Sequence, residues 1–179
     1  MDIKGALMRE IHQPLTIENV TLADPGPDEV SVKTVVCGVC HIDLHALHGA
    51  IPTAVPTILG HEPAGIVQAV GKNVRNVEAG DHVIACTSSI RCEMCPQCLQ
   101  GLGHLCTGRS VCQRNDDEVA RIRCDGETIS QFVDLSGFAE AMLLHHSAVV
   151  RIDHDIPLDR AALVDCAVTT GVGAALKLQ

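Results

Sequence analysis

The segment Val30-Ser31-Val32-Lys33-Thr34-Val35-Val36 follows the turn residues Pro25-Gly26-Pro27. Its β-branched residues at 30, 32, 34 and 36 recur with a period of two, the spacing of a strand with one buried face. The Pro-Gly-Pro run ahead of it marks a turn. Working outward, Ile66-Val67 through Val70, stopped at Gly71, reads as a second strand. Gly80-Asp81 turns into a third, His82-Val83-Ile84-Ala85, and Phe138 to Ile152 reads as one or two more. Residues 112–128 are polar and charged and read as an excursion. Asp155 and Pro157 predict a short helix through Val164, and Thr169-Thr170 opens another that runs to Lys177-Leu178-Gln179. Many short strands between Gly and Pro turns predict a mainly β domain with short helices.

Composition excludes several classes. A chain of 179 residues corresponds to about one domain, long enough for a real core. With 13 Lys+Arg against 22 Asp+Glu, its net charge of −9 disfavours nucleic acid, which needs a basic face. Two Phe and no Trp or Tyr leave little surface on which bases could stack. No apolar run approaches the roughly 18 residues of a membrane span. Met1-Asp2-Ile3-Lys4 lacks the charged-then-apolar build of a signal peptide. The expectation is a soluble, cytoplasmic chain with neither nucleic acid nor membrane as partner.

Ten cysteines in such a chain mean either disulfides or metal ligation. Without a secretion signal, thiols stay reduced. Four of them cluster as Cys92-x2-Cys95-x2-Cys98-x7-Cys106. Four thiolates at that spacing can close a tetrahedron around one zinc. An iron–sulfur cluster uses the same donors and is the lesser reading. The intervening Glu93, Met94, Pro96, Gln97, Gly101 and Gly103 predict a loop. A disulfide-rich secreted module fails on both the missing signal and the metal-type spacing.

A second set is scattered: Cys40-His41-Ile42-Asp43-Leu44-His45, then Gly60-His61-Glu62-Pro63-Ala64-Gly65, then Cys166 before Thr169-Thr170-Gly171. Taken singly, each has a bland reading. An isolated cysteine such as Cys37 or Cys86 is usually a small core residue. Spacing alone does not join Cys40, His61 and Cys166 into one site.

These segments, together with Gly38-Val39 ahead of Cys40, Ile66-Val67, Val70-Gly71, Gly80-Asp81-His82-Val83 and the four-cysteine loop, resemble the zinc-dependent medium-chain alcohol dehydrogenases. The resemblance covers essentially the whole chain, and the interval from Cys106 to Cys166 is similar to that of the longer, liver-like members. It implies a GroES-like, partly open β-barrel with a zinc lobe at 91–107, the catalytic domain spanning 1–165. It implies that 166–179 begins a linker helix to a Rossmann-type nucleotide-binding domain. Gly171-Val172-Gly173 lacks the third small residue and the following βαβ unit of a nucleotide fingerprint. The expectation is therefore a catalytic domain without its cofactor domain, and a monomer.

The resemblance also implies roles. Cys40, His61 and Cys166 would hold a catalytic zinc, Glu62 being an alternative ligand, and Cys92, Cys95, Cys98 and Cys106 a structural one. Zinc would polarise an alcohol oxygen and lower its pKa, and hydride would pass to NAD(P). Asp43 would fix the His61 tautomer. His41 would contact the cofactor pyrophosphate, less firmly than an arginine would. His45 would end a proton relay, and Thr170 would lie near the nicotinamide. Phe132 and Val133 fall where the family has substrate-pocket residues. His12, His48, His82, His104, His145, His146 and His154 match no functional position. One departure is sharp: Ile42 stands where the family carries Ser or Thr, and Ile cannot pass a proton. The implied function is oxidation of a small alcohol to an aldehyde or ketone. The alternative is a truncated, non-catalytic zinc-binding domain.

Overall fold

The structure is a computed structural model in which residues 1–115 and 117–177 are described. The chain runs through β1 (Asp2–Met8), β2 (Thr16–Leu22), β3 (Glu29–Gly38), α1 (His41–Leu47), β4 (Thr57–Ile58), β5 (Glu62–Val70) and β6 (His82–Ala85). The cysteine-rich lobe carries α2 (Pro96–Leu99). Then come β7 (Ile122–Cys124), β8 (Glu127–Thr128), β9 (Ser130–Gln131), β10 (Ala141–His145) and β11 (Val149–Ile152). A short α3 (Leu158–Ala161), a π-helical turn over Val164–Val168 and α4 (Thr169–Lys177) follow.

The strands sort into a six-stranded sheet, β8-β7-β2-β1-β4-β9, and a five-stranded sheet, β10-β3-β5-β6-β11. Residues 138–140 stitch them into a nearly closed barrel. Ala6 N–H donates to the Phe138 carbonyl at 2.8 Å, and Gly5 bridges Ala139. Glu140 N–H donates to the Lys4 carbonyl at 3.0 Å, while its own carbonyl accepts from Thr34 N–H at 3.0 Å. One residue thus bonds both β1 and β3. The expected mainly β, GroES-like barrel is the fold observed.

Strand β10 divides the core. Met142 and Leu144 pack with Val30, Val32, Val67 and Val83, while Ala141 and Leu143 pack with Ile3, Leu7, Val20 and Ile58. With both faces buried, the strand reads as an unbroken apolar run.

Several elements depart from the sequence expectations. Strands β1 and β2 carry no clear period in the sequence, because Gly5 interrupts the buried row Ile3, Gly5, Leu7. A Cβ at Gly5 would meet Ile58 Cδ1 at 2.7 Å. Strand β5 starts at Glu62, four residues before Ile66, across Pro63 and Gly65. The stretch read as an excursion holds β7 and β8, and β7 pairs with β2. It looked polar because its Arg121 is buried by ion pairing: Arg121 Nε donates to Glu29 at 2.7 Å. Its Nη2 donates to the Cys112 carbonyl at 2.7 Å. The helix predicted from Asp155 begins only at Leu158, with Pro157 as its N-cap. The four-cysteine loop contains two helical turns, α2, started by Pro96 at its first position, and a 3-10 turn over Gly103–Leu105. Of the terminal Lys177-Leu178-Gln179, the last two lie outside the described residues.

Candidate functional site

Two clusters of metal-type donors stand on this barrel. In the lobe, the Sγ atoms of Cys95 and Cys98 lie 3.5 Å apart, Cys95 and Cys106 3.9 Å, and Cys92 and Cys98 4.0 Å. A tetrahedron with 2.3 Å zinc–sulfur bonds has edges of about 3.8 Å, whereas a disulfide needs about 2.05 Å. The donor set fits a four-coordinate zinc, and all ten cysteines are free. Main-chain N–H groups of Cys92 and Cys95 donate to Cys106 and Cys92 sulfurs, each at 3.3 Å. Such bonds favour the thiolate form.

The second cluster gathers Cys40, His61, Glu62 and Cys166, whose donor atoms all lie within 4.8 Å of one another. Cys40 is the N-cap of α1. His61 and Glu62 are the residue before β5 and its first residue, and Cys166 lies in the π-helical turn. Cys40 Sγ and Cys166 Sγ are 3.8 Å apart, again the edge of a zinc tetrahedron.

Asp43 organises this cluster. Its Oδ2 accepts from Cys40 N–H at 3.1 Å, and its Oδ1 accepts from Gly60 N–H at 3.0 Å and faces His61 Nδ1 at 3.3 Å. Both Asp43 and His61 are buried. The Asp43 hydrogen bond pushes the His61 pKa up to about 9, against the lowering effect of burial. With Nδ1 engaged, Nε2 is buried and has no hydrogen-bond partner among the described residues. A buried orphan nitrogen beside two thiols and a carboxyl is the donor set a metal ion satisfies. Burial, followed by the nearby Cys40 and Glu62, holds the Cys166 thiol above its usual range.

Local chain geometry makes room for these groups. Gly60 has φ +90, and a Cβ there would meet Phe138 N at 2.6 Å. Gly38 pairs with Glu62 across the sheet, and a Cβ at Gly38 would collide with the Glu62 carboxylate. The ring of Phe132 meets that of His61 edge-on, 6.0 Å between centroids and 69° between planes.

The structure therefore brings together Cys40, Asp43, His61, Glu62 and Cys166, with Phe132 against them. It places His41 and His45 one turn apart on α1, ring centroids 4.8 Å apart, and Thr170 on α4, whose residues are all exposed. Among the unassigned histidines, His145 caps a turn through Ser147, and burial lowers its pKa to about 4. Sequence reasoning missed Asp165, next to Cys166, and the Thr87–Arg109–Asp134 hydrogen-bond chain, because each is an isolated polar residue in a short helical turn or loop.

The barrel and its cysteine lobe define a zinc-type dehydrogenase domain. The chain matches the alcohol dehydrogenase GroES-like domain family over residues 26–154 and belongs to that family. It is 38% identical over 181 residues to alcohol dehydrogenase B of Mycobacterium tuberculosis, covering 99% of this chain and 48% of that one. It is also 38% identical over 177 residues to alcohol dehydrogenase class-3 of Drosophila melanogaster, covering 97% and 46%. Among solved structures, the alcohol dehydrogenase zinc-binding domain protein from Burkholderia ambifaria superposes with a TM-score of 0.87 at 32% identity, over 97% of this chain and 48% of that one. The benzyl alcohol dehydrogenase from Acinetobacter calcoaceticus gives 0.86 at 28%, over 98% and 48%. The chain spans about half the length of these relatives. No helix among the described residues is long and apolar enough to cross a membrane.

Proposed function

We propose that this chain is the catalytic-domain part of a zinc-dependent alcohol dehydrogenase that oxidises small alcohols to aldehydes or ketones, with hydride passing to NAD(P). Residues 1–165 are the catalytic domain, with the zinc lobe at 91–107. Residues 166–179, of which 178 and 179 lie outside the described residues, begin the connection to a nucleotide-binding domain. The observation that carries the reading is the convergence of Cys40, His61, Glu62 and Cys166 on one buried, unpartnered histidine nitrogen.

Cys40, His61 and Cys166 would hold one zinc, with Glu62 in reserve as an exchange ligand, and Cys92, Cys95, Cys98 and Cys106 the other. Zinc bound at the first set supplies Lewis acidity that lowers the pKa of an alcohol. The residues of the chain do the rest. Asp43 holds the Nδ1 proton, leaving Nε2 as the donor nitrogen. Phe132 keeps water from one side of His61. His45 carries a proton toward solvent, His41 contacts the cofactor pyrophosphate and Thr170 lies beside the nicotinamide.

The test is zinc content together with alcohol-dependent reduction of NAD(P), measured on the protein as purified from its natural source. Two zinc ions per chain are expected, falling to one in His61→Ala and in Cys95→Ser alike, with turnover lost in His61→Ala. Two zinc ions that persist in His61→Ala would overturn the reading. The second reading, a zinc-binding domain without catalysis, is favoured by Ile42, which puts an aliphatic side chain in the proposed proton path. Two bound zinc ions without turnover would select it.

A further inference from the structure

Thr87 joins three parts of the molecule that are distant in sequence. Its hydroxyl donates to the Val133 carbonyl at 2.9 Å and accepts from Arg109 Nη2 at 2.9 Å. The same Arg109 nitrogen pairs with Asp134 Oδ2 at 2.8 Å.

Arg109 lies two residues past the cysteine lobe. It follows Gly108, where a Cβ would meet Cys92 Sγ at 2.7 Å. The chain therefore leaves the lobe in van der Waals contact with one of its sulfurs, and the placement of Arg109 depends on the lobe.

At the other end, Val133, Asp134 and Ser136 have φ of 48, 69 and 85. Left-handed backbone is unfavourable for these residues, above all for β-branched Val133. It persists only where the surroundings over-determine it. The bonds to Val133 and Asp134 are among those constraints, beside the Gln131 amide, which donates to the Leu135 carbonyl at 2.7 Å and to Ser136 Oγ at 3.1 Å. Phe132, directly before them, is buried with Met8, Ala46 and Leu59 and lies edge-on to His61.

We propose that Arg109 and Thr87 are positioning residues that lock the segment 132–136 to the cysteine lobe and so hold Phe132 against His61. The lobe then acts on the pocket wall as well as on stability: whatever loosens it loosens Phe132. The catalytic consequence rests on the reading of the Cys40–His61–Cys166 cluster given above; the lock itself does not.

The test uses amide hydrogen exchange on the full chain, comparing Arg109→Met, Arg109→Lys and Thr87→Val with the unaltered protein. Arg109→Met should raise exchange at residues 133–137 by about tenfold, the scale of losing one charge-assisted hydrogen bond. Amides of β1 and β2 should keep their rates. Thr87→Val, nearly isosteric, should raise the same segment, and Arg109→Lys should restore part of the protection. The ring-current shift that Phe132 imposes on His61 protons should change in Arg109→Met and recover in Arg109→Lys. Glu127→Gln, which breaks the Arg9–Glu127 ion pair at the β8 edge of the six-stranded sheet, should alter neither readout. Unchanged exchange at 133–137 in both Arg109→Met and Thr87→Val would overturn the proposal. So would an increase spread equally over both sheets. Neither readout needs metal, cofactor or turnover, so a failed functional reading leaves this test standing.

Discussion

Asp43 Oδ1 lies 3.3 Å from His61 Nδ1, and the two side chains are only 4% and 5% exposed. The same carboxylate holds the main-chain N–H groups of Cys40 and Gly60. One side chain therefore fixes the positions of two of the four clustered donors.

Asp43→Asn keeps the shape and removes the charge. Zinc affinity of the Cys40–His61–Cys166 cluster should fall by about 10- to 100-fold, the usual effect of losing a carboxylate behind a ligating histidine. Affinity at the four-cysteine lobe should be unchanged. Competition against a chromogenic chelator measures both, and equal losses at the two clusters would contradict the assignment.

The metal-free chain should show a pH signature of the same pair. The folded-state pKa of His61 is raised to about 9, above an unfolded value near 6.5. A raised pKa contributes stability that is fully present below about pH 6.5 and is lost as pH rises through about 9. Urea midpoints of the unaltered protein and Asp43→Asn should differ most at low pH and converge above about pH 9. Zinc must displace the same proton, so uptake should tighten with pH over this window. An NMR titration placing His61 near 6.5 would refute both expectations.

Gly60→Ala should destabilise the chain by about 3 kcal/mol, since the new methyl meets Phe138 N and the backbone is held at φ +90. Gly80 has φ +97 with nothing within 4 Å. Gly80→Ala should therefore cost only about 1 kcal/mol, the conformational share. Urea denaturation with unchanged m-values separates the two.

Glu29 is 5% exposed and lies between the guanidinium groups of Arg114 and Arg121. Glu29→Gln should cost about 3 kcal/mol, because it leaves the buried Arg121 charge without its partner. Equilibrium unfolding measures this. A cost below about 1 kcal/mol, as for a surface pair, would show that the network contributes little.

Ile42→Ser should speed alcohol oxidation in the protein carrying its nucleotide-binding domain. Restoring one proton-passing hydroxyl should be worth roughly tenfold or more and should move the pH profile of kcat. An unchanged rate and profile would mean that the proton leaves by another route.

The four-cysteine lobe was legible in the sequence because its donors fall within one short loop, and chain geometry at that range leaves few arrangements. The strand at 30–36 was legible because Val30 and Val32 are buried on one face. Strand β10 was legible as part of the apolar run from Phe138 to Ile152, although burial of both its faces erases alternation. The hairpin of β7 and β8 was not, because beside β7 a buried arginine imitates a surface loop.

The donors of the second cluster were legible one by one, and a family resemblance joined them, but their spacing could not. Cys40, His61 and Cys166 meet because β3 pairs with β5, Gly38 opposite Glu62, and the turn after α3 packs back over β5. The sequence by itself determined the donor chemistry, the mainly β class and the lobe, all properties of short segments. The tertiary structure alone decided which distant side chains share a buried space: Asp43 with His61, Glu29 with Arg121, and Arg109 with Asp134 across 25 residues. Pairings of that kind depend on long-range closure of the chain, and no local pattern of residue types records it.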